Sequence, residues 1–152
     1  MAQALNTWVG RVAGLDEPLP DPWQHWDCRN NRLAWRGLQA DGFMNAVKRA
    51  ADQHGAHRVA VVMGSSTASI GATEDAYQVL AQCGEFPPQP DNPALHTLHS
   101  LTGFVQEALG LRGPAQTIST ACSSSAKAFA CAERLMRLGL ADAAVVGGVD
   151  SL

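Results

Sequence analysis

The stretch Gln116-Thr-Ile-Ser-Thr-Ala-Cys-Ser-Ser-Ser-Ala126 decides how this chain folds. Its first half reads as the end of a strand, near Ala115–Thr120. Small residues from Ala121 to Ser125 then lead directly into a long helix. Cys122 therefore stands at or beside the helix's first turn. The N–H groups there lack intrahelical partners and carry partial positive charge, which favours a thiolate over a thiol. Small neighbours let a substrate carbonyl approach, and a helix-start N–H can stabilise an oxyanion. A cysteine nucleophile in acyl transfer needs this geometry. The same residues also suit a buried cysteine at a tight helix–sheet junction, and local chemistry leaves both readings open.

Working outward, the helix is predicted to present Ala126, Phe129, Ala130, Ala132/Glu133 and Met136 and to stop at Gly139. A last strand follows at Ala143–Val146, then Gly147-Gly148. Upstream, Gly113-Pro114 turns the chain into the Ala115 strand. Leu95, Leu98, Thr102, Val105 and Leu109 mark a helix that stops at Gly110. The Pro-rich segment 84–93 is a loop, preceded by a helix over Glu74–Gln82 with Thr73 as N-cap. Arg58-Val-Ala-Val-Val-Met63 is too continuously apolar for one-sided burial and suits a central parallel strand. From Leu33 to Gln53 one helix is predicted, with Gly42 interrupting its pattern and Gly55 stopping it. Residues 1–32, carrying Pro18, Pro20 and Pro22, read as an irregular arm. Strands alternating with helices predict an α/β fold with a mainly parallel sheet.

The composition sets the outer bounds. A length of 152 residues fits one domain, and 46% hydrophobic against 16% charged residues supports a packed core. With 14 acids and 11 bases the net charge is −3, which argues against a grip on nucleic acid or a polybasic membrane anchor. No apolar stretch approaches the roughly 18 residues of a spanning helix. The start, MAQALNTWVGR, lacks the apolar run of a signal peptide. The four cysteines form no C-x-x-C pair and do not suggest a disulfide scaffold. A cytoplasmic protein without cofactor or metal is expected.

Thr120-Ala-Cys-Ser-Ser-Ser125, the Ala-rich helix, Gly139-Leu-Ala-Asp142 and Gly147-Gly-Val-Asp150 together resemble the N-terminal half of a β-ketoacyl-(acyl-carrier-protein) synthase. The resemblance extends upstream through Gly110-Leu-Arg-Gly-Pro114 and the Gly64-Ser65 loop, covering about residues 58–152. The run Asp27-Cys-Arg-Asn-Asn-Arg-Leu33 adds a likeness to ketosynthases of aryl-polyene clusters. Thiolases share part of the pattern but usually carry N-x-x-C, where this chain has Ser119. The resemblance implies half of a thiolase-like αβαβα sandwich. It makes Cys122 the residue that takes an acyl group from an acyl carrier protein, with its own N–H in the oxyanion hole. Decarboxylation of a malonyl thioester and condensation would follow. It also places Thr67 at the base of the acyl pocket, where simple loop flexibility is the competing reading. It implies a homodimer or a ketosynthase heterodimer, joined along the Ala115–Thr120 strand.

The family's paired histidines lie in the C-terminal half of its fold. The chain is therefore expected to be a partial synthase domain over 1–152, unable to complete a condensation alone. A non-catalytic remnant, or a partner subunit that binds a carrier protein or ketosynthase, is the alternative. His54-x-x-His57, His96-x-x-His99 and His25-x-x-Cys28 have metal-like spacing but no third ligand placed by sequence, so surface or hydrogen-bonded histidines are expected. Gly64-Ser-Ser-Thr-Ala-Ser-Ile-Gly71 lacks the Gly-Lys-Ser/Thr ending of a phosphate loop. Trp23, Trp26 and Trp35 suit either an ordinary packed arm or a contact for further parts of the fold.

Overall fold

Every residue of Val59–Gly64 (β1) is buried, as an unbroken apolar strand covered on both faces must be. It is the centre of a parallel sheet ordered β2-β1-β3, with β2 at Ala115–Ile118 and β3 at Ala143–Gly148. Gly64 is in register with Ile118 on one side and Gly148 on the other, so the three strands end at one edge. The computed structural model describes Trp8, residues 10–87 and residues 93–151. The helices are α1 (Arg29–Leu38), α2 (Phe43–His54), α3 (Ile70–Cys83), α4 (Ser100–Ala108) and α5 (Ser124–Arg137).

Side chains along β1 alternate between the two faces of the sheet. Val59, Val61 and Met63 join a core with Leu38 of α1, Val47 of α2 and Leu101, Phe104 and Val105 of α4. Ala60 and Val62 pack on the opposite face against Ala128, Ala132 and Leu135 of α5. The described chain is thus helices, parallel sheet and helix in three layers. This agrees with half of a thiolase-like sandwich.

Several boundaries differ from expectation, each for a local reason. The helix predicted over 33–53 is two helices, because Asp41 (φ 51°) and Gly42 (φ 71°) are left-handed and break the spiral between them. The first of these starts at Arg29, inside the stretch read as an irregular arm. Residues 95–109 likewise divide into a short 3₁₀ turn at Pro93–His96 and α4. α3 begins at Ile70, so Thr73 lies within its first turn and Ser69 is the residue before it. Of the predicted loop 84–93, residues 88–92 lie outside the described ones.

The face of α5 is the larger correction. Ser124, Ala128, Ala132 and Leu135 are buried, while Phe129 is 62% and Met136 43% exposed. Small alanines let the helix settle close on the sheet, and this steric gain outweighs the pull of the bulkier stripe. Phe129 and Met136 consequently look outward, as do Leu138 and Leu140 beyond the helix.

From Leu15 onward the segment before α1 is packed onto the core, with Leu15 and Leu19 buried. Trp26 is buried, and its indole N–H donates to Glu107 (2.9 Å). Trp23 lies 4.8 Å from Trp35, centroid to centroid, and Trp35 meets Phe104 edge-on at 6.4 Å. Asp27 accepts from the Leu19 N–H (2.8 Å) and pairs with Arg32. Burial pushes the Asp27 carboxyl up, but its bonds from Arg32 and Leu19 prevail and bring it below its ordinary value. The tryptophans therefore serve an internally packed arm. At the far edge of the sheet Asp142 takes a two-pronged bond from Arg58, both contacts 2.8 Å, and Arg58 also donates to the Gly139 carbonyl (2.9 Å). The Gly-x-Ala-Asp motif is a clasp between β3's entry and β1, remote from the edge where the strands end.

Candidate active site

Parallel strands deliver their following loops to one edge, where α/β proteins build their sites. Here those loops are Ser65–Ser69 after β1, Ser119–Ser123 after β2 and Val149–Asp150 after β3. Backbone bonds tie them together: the Ser65 N–H donates to the Ile118 carbonyl (3.1 Å), and the Val149 N–H to the Gly64 carbonyl (3.1 Å).

Cys122 is exposed and stands one residue before Ser123, the N-cap of α5. Ala121 just ahead of it is left-handed (φ 52°), a conformation that costs an L-residue about 1 kcal/mol. The serines that follow hold it there. The Ser124 hydroxyl donates to the Ala121 carbonyl (2.7 Å) and accepts from the Thr120 N–H (2.9 Å). The Ser123 hydroxyl donates to the Thr120 carbonyl (2.9 Å). Glycines let the helix reach the sheet edge: a Cβ on Gly64 would lie 2.7 Å from the Ser125 backbone nitrogen, and one on Gly148 would strike the Ser125 hydroxyl. The result is a surface thiol beside a helix start, open to an incoming carbonyl. The buried-junction alternative for this cysteine does not hold.

Thr67 is half-buried in the β1 loop, whose Ala68 is also left-handed (φ 47°). It lines a cavity of about 330 Å³ together with Ala68, Ile70, Cys28 and Asn30. Cys122 is not among the residues lining that cavity; it shares the sheet edge with Thr67 but not this chamber. Burial pushes the Cys28 thiol up, a poor setting for a nucleophile.

Asp150 received no role from the sequence beyond its place in a motif. Its carboxylate accepts the Ser65 hydroxyl (2.8 Å), the Ser66 N–H (2.9 Å), the Thr67 N–H (3.0 Å) and the Thr67 hydroxyl (3.0 Å). Burial would raise its carboxyl, yet these donors outweigh that effect and lower it. The loop that resembles a phosphate cradle thus spends its N–H groups on an internal anion. An acidic residue just past a parallel strand, at the edge where loops gather, was the signal available for it.

Three of the histidines have separate partners, while His54 and His57 both lie within electrostatic reach of Asp142. His96 meets the Thr73 hydroxyl (3.1 Å), His99 the Thr117 hydroxyl (3.0 Å) and His25 the Glu107 carboxylate (3.2 Å). Among the described residues no three potential ligands gather for a metal ion. Nor, among them, is any helix long and apolar enough to cross a membrane.

Residues 30–152 match the family model of the β-ketoacyl synthase N-terminal domain. The chain belongs to the β-ketoacyl synthase family. It is 30% identical over 99 residues to 3-oxoacyl-(acyl-carrier-protein) synthase 2 of Vibrio cholerae, spanning 65% of this chain and 24% of that protein. It is 36% identical over 122 residues to polyketide synthase ThaG of Burkholderia thailandensis, spanning 78% of this chain and 2% of that protein. The chain therefore covers about a quarter of the Vibrio synthase. A solved ketosynthase, ApeO in complex with its chain length factor ApeC from Xenorhabdus doucetiae, superposes with a TM-score of 0.77. That match has 34% identity and covers 88% of this chain and 33% of the other.

Proposed function

We propose that this chain carries the acyl-accepting part of a β-ketoacyl-(acyl-carrier-protein) synthase, acting in fatty-acid or polyketide chain extension. The observation that carries the reading is Cys122: exposed, on a strained turn, between the end of β2 and the start of α5. Its thiolate attacks the carbonyl of an acyl thioester on the carrier protein. The Cys122 N–H stabilises the oxyanion, and collapse expels the carrier's thiolate and leaves acyl-Cys122. Thr67 bounds the acyl chain. Decarboxylation of a malonyl thioester then supplies the carbanion that takes the acyl group off the cysteine.

We further propose a subunit contact along β2, a homodimer or a pair with a related subunit. In the described sheet β2 is an edge strand with one side unpaired. The assembly of the Xenorhabdus ketosynthase with a chain length factor supports a partner of that kind.

The test is incubation with acyl carrier protein bearing a hexanoyl thioester, followed by peptide mass spectrometry. The expected result is a hexanoyl adduct confined to Cys122 and absent from Cys122→Ala. Adducts spread over Cys83 and Cys131 as well would reduce the reaction to unspecific thiol exchange.

A further inference from the structure

The donors around Asp150 come from three successive residues of one loop, and the last is Thr67. Both the N–H and the hydroxyl of Thr67 end on the same carboxylate oxygen, which fixes its backbone and its rotamer together. Ser65 extends the effect. Its buried hydroxyl donates to Asp150 while accepting the Ala68 N–H (2.8 Å), so the left-handed Ala68 is anchored through it. Asp150 itself is held from behind. The preceding Val149 donates its N–H to Gly64, and its carbonyl accepts from the side-chain amide of the buried Asn30 (3.4 Å). The loop that Thr67 belongs to is therefore braced by a carboxylate from the loop after β3, the second strand on in sequence.

We propose that Asp150 is a positioning residue for the acyl chain: by holding Ser65–Thr67 it keeps the Thr67 side chain where it limits how far an acyl group enters. The inference rests on the acyl-transfer reading above and adds to it a determinant of chain-length selectivity. Charge-assisted bonds are about twice as strong as neutral ones, and a carboxylate can accept every donor the loop presents. An amide at position 150 still offers one oxygen to the donors that share Oδ1, but it loses the charge that strengthens those bonds and turns its nitrogen toward the Ser66 N–H, which also reaches the second oxygen (3.0 Å).

The experiment uses the full chain as wild type, Asp150→Asn, Asp150→Glu and, as a pocket control, Thr67→Phe. Amide exchange of Ser66 and Thr67 is measured first, against the amides of α5. Loading of Cys122 from hexanoyl- and dodecanoyl-carrier protein is measured second. In Asp150→Asn the two loop amides are expected to lose protection while α5 keeps its own. The dodecanoyl-to-hexanoyl ratio is expected to rise about tenfold, the lower end of what one methylene is worth in an apolar pocket. Asp150→Glu is expected to restore part of both, and Thr67→Phe to move the ratio the other way. A purely structural role would lower both loading rates and leave the ratio unchanged. Unchanged loop exchange, or an unchanged ratio with Thr67→Phe still effective, overturns this inference and leaves the acyl-transfer reading standing. A wild type that loads neither thioester overturns that reading, and the selectivity argument with it. Should Asp150→Asn not fold, Ser65→Ala removes one donor to the carboxylate and carries the same comparison.

Discussion

At the scale of single residues, two exposed thiols offer a controlled contrast. Cys122 precedes the start of α5, whereas Cys83 is the last residue of α3. Helix ends differ in sign: the N-terminal end favours developing negative charge and the C-terminal end opposes it. We expect iodoacetamide to modify Cys122 first, Cys83 and the half-buried Cys131 later, and the buried Cys28 last, as read by peptide mapping over time. Equal rates at Cys122 and Cys83 would remove the helix start from the explanation. The place of Cys122 at the turn before α5 was legible in the sequence because strand end, turn and helix start are contiguous there. The hold of Asp150 on Thr67 was not, since 83 positions separate the two and only the parallel register brings them together.

At the scale of elements, glycines at the strand ends decide where α5 begins. Gly64→Ala places a methyl against the Ser125 backbone, which can yield only if the helix moves. Gly148→Ala meets the Ser125 hydroxyl, a lighter obstacle that can rotate. The expected cost of Gly64→Ala is about 1–3 kcal/mol in urea unfolding, the usual range for overpacking, with a smaller loss for Gly148→Ala. Equal stability of Gly64→Ala and wild type would show that the helix does not rest on this contact. The strands were readable because their apolar runs are short and continuous. The helical detail was less so. Period alone singles out the stripe with Phe129 and Met136 as the buried one, but close packing on the sheet keeps only Ala132 of it and adds Ala128 and Leu135. Likewise Asp41 gave no sign that it would take a left-handed conformation beside Gly42.

At the scale of the whole molecule, the outer side of β2 has no partner strand among the described residues, and Phe129, Met136, Leu138 and Leu140 are among the exposed apolar side chains. For the β2 contact we expect sedimentation velocity to give a dimer at micromolar concentration, weakened by Thr117→Pro, which removes a backbone donor from that strand. Monomer throughout would place the contact elsewhere. The order of the sheet also has a consequence for biosynthesis. β1 is made first but lies in the middle, and its Val59 pairs with Ala143, 84 positions downstream. At ribosomal rates of about 5–20 residues per second, that neighbour is delayed by roughly 4–17 s. β1, the most apolar of the three described strands, must therefore wait with one side open until residues 143–148 have been made, an interval in which a chaperone could engage it.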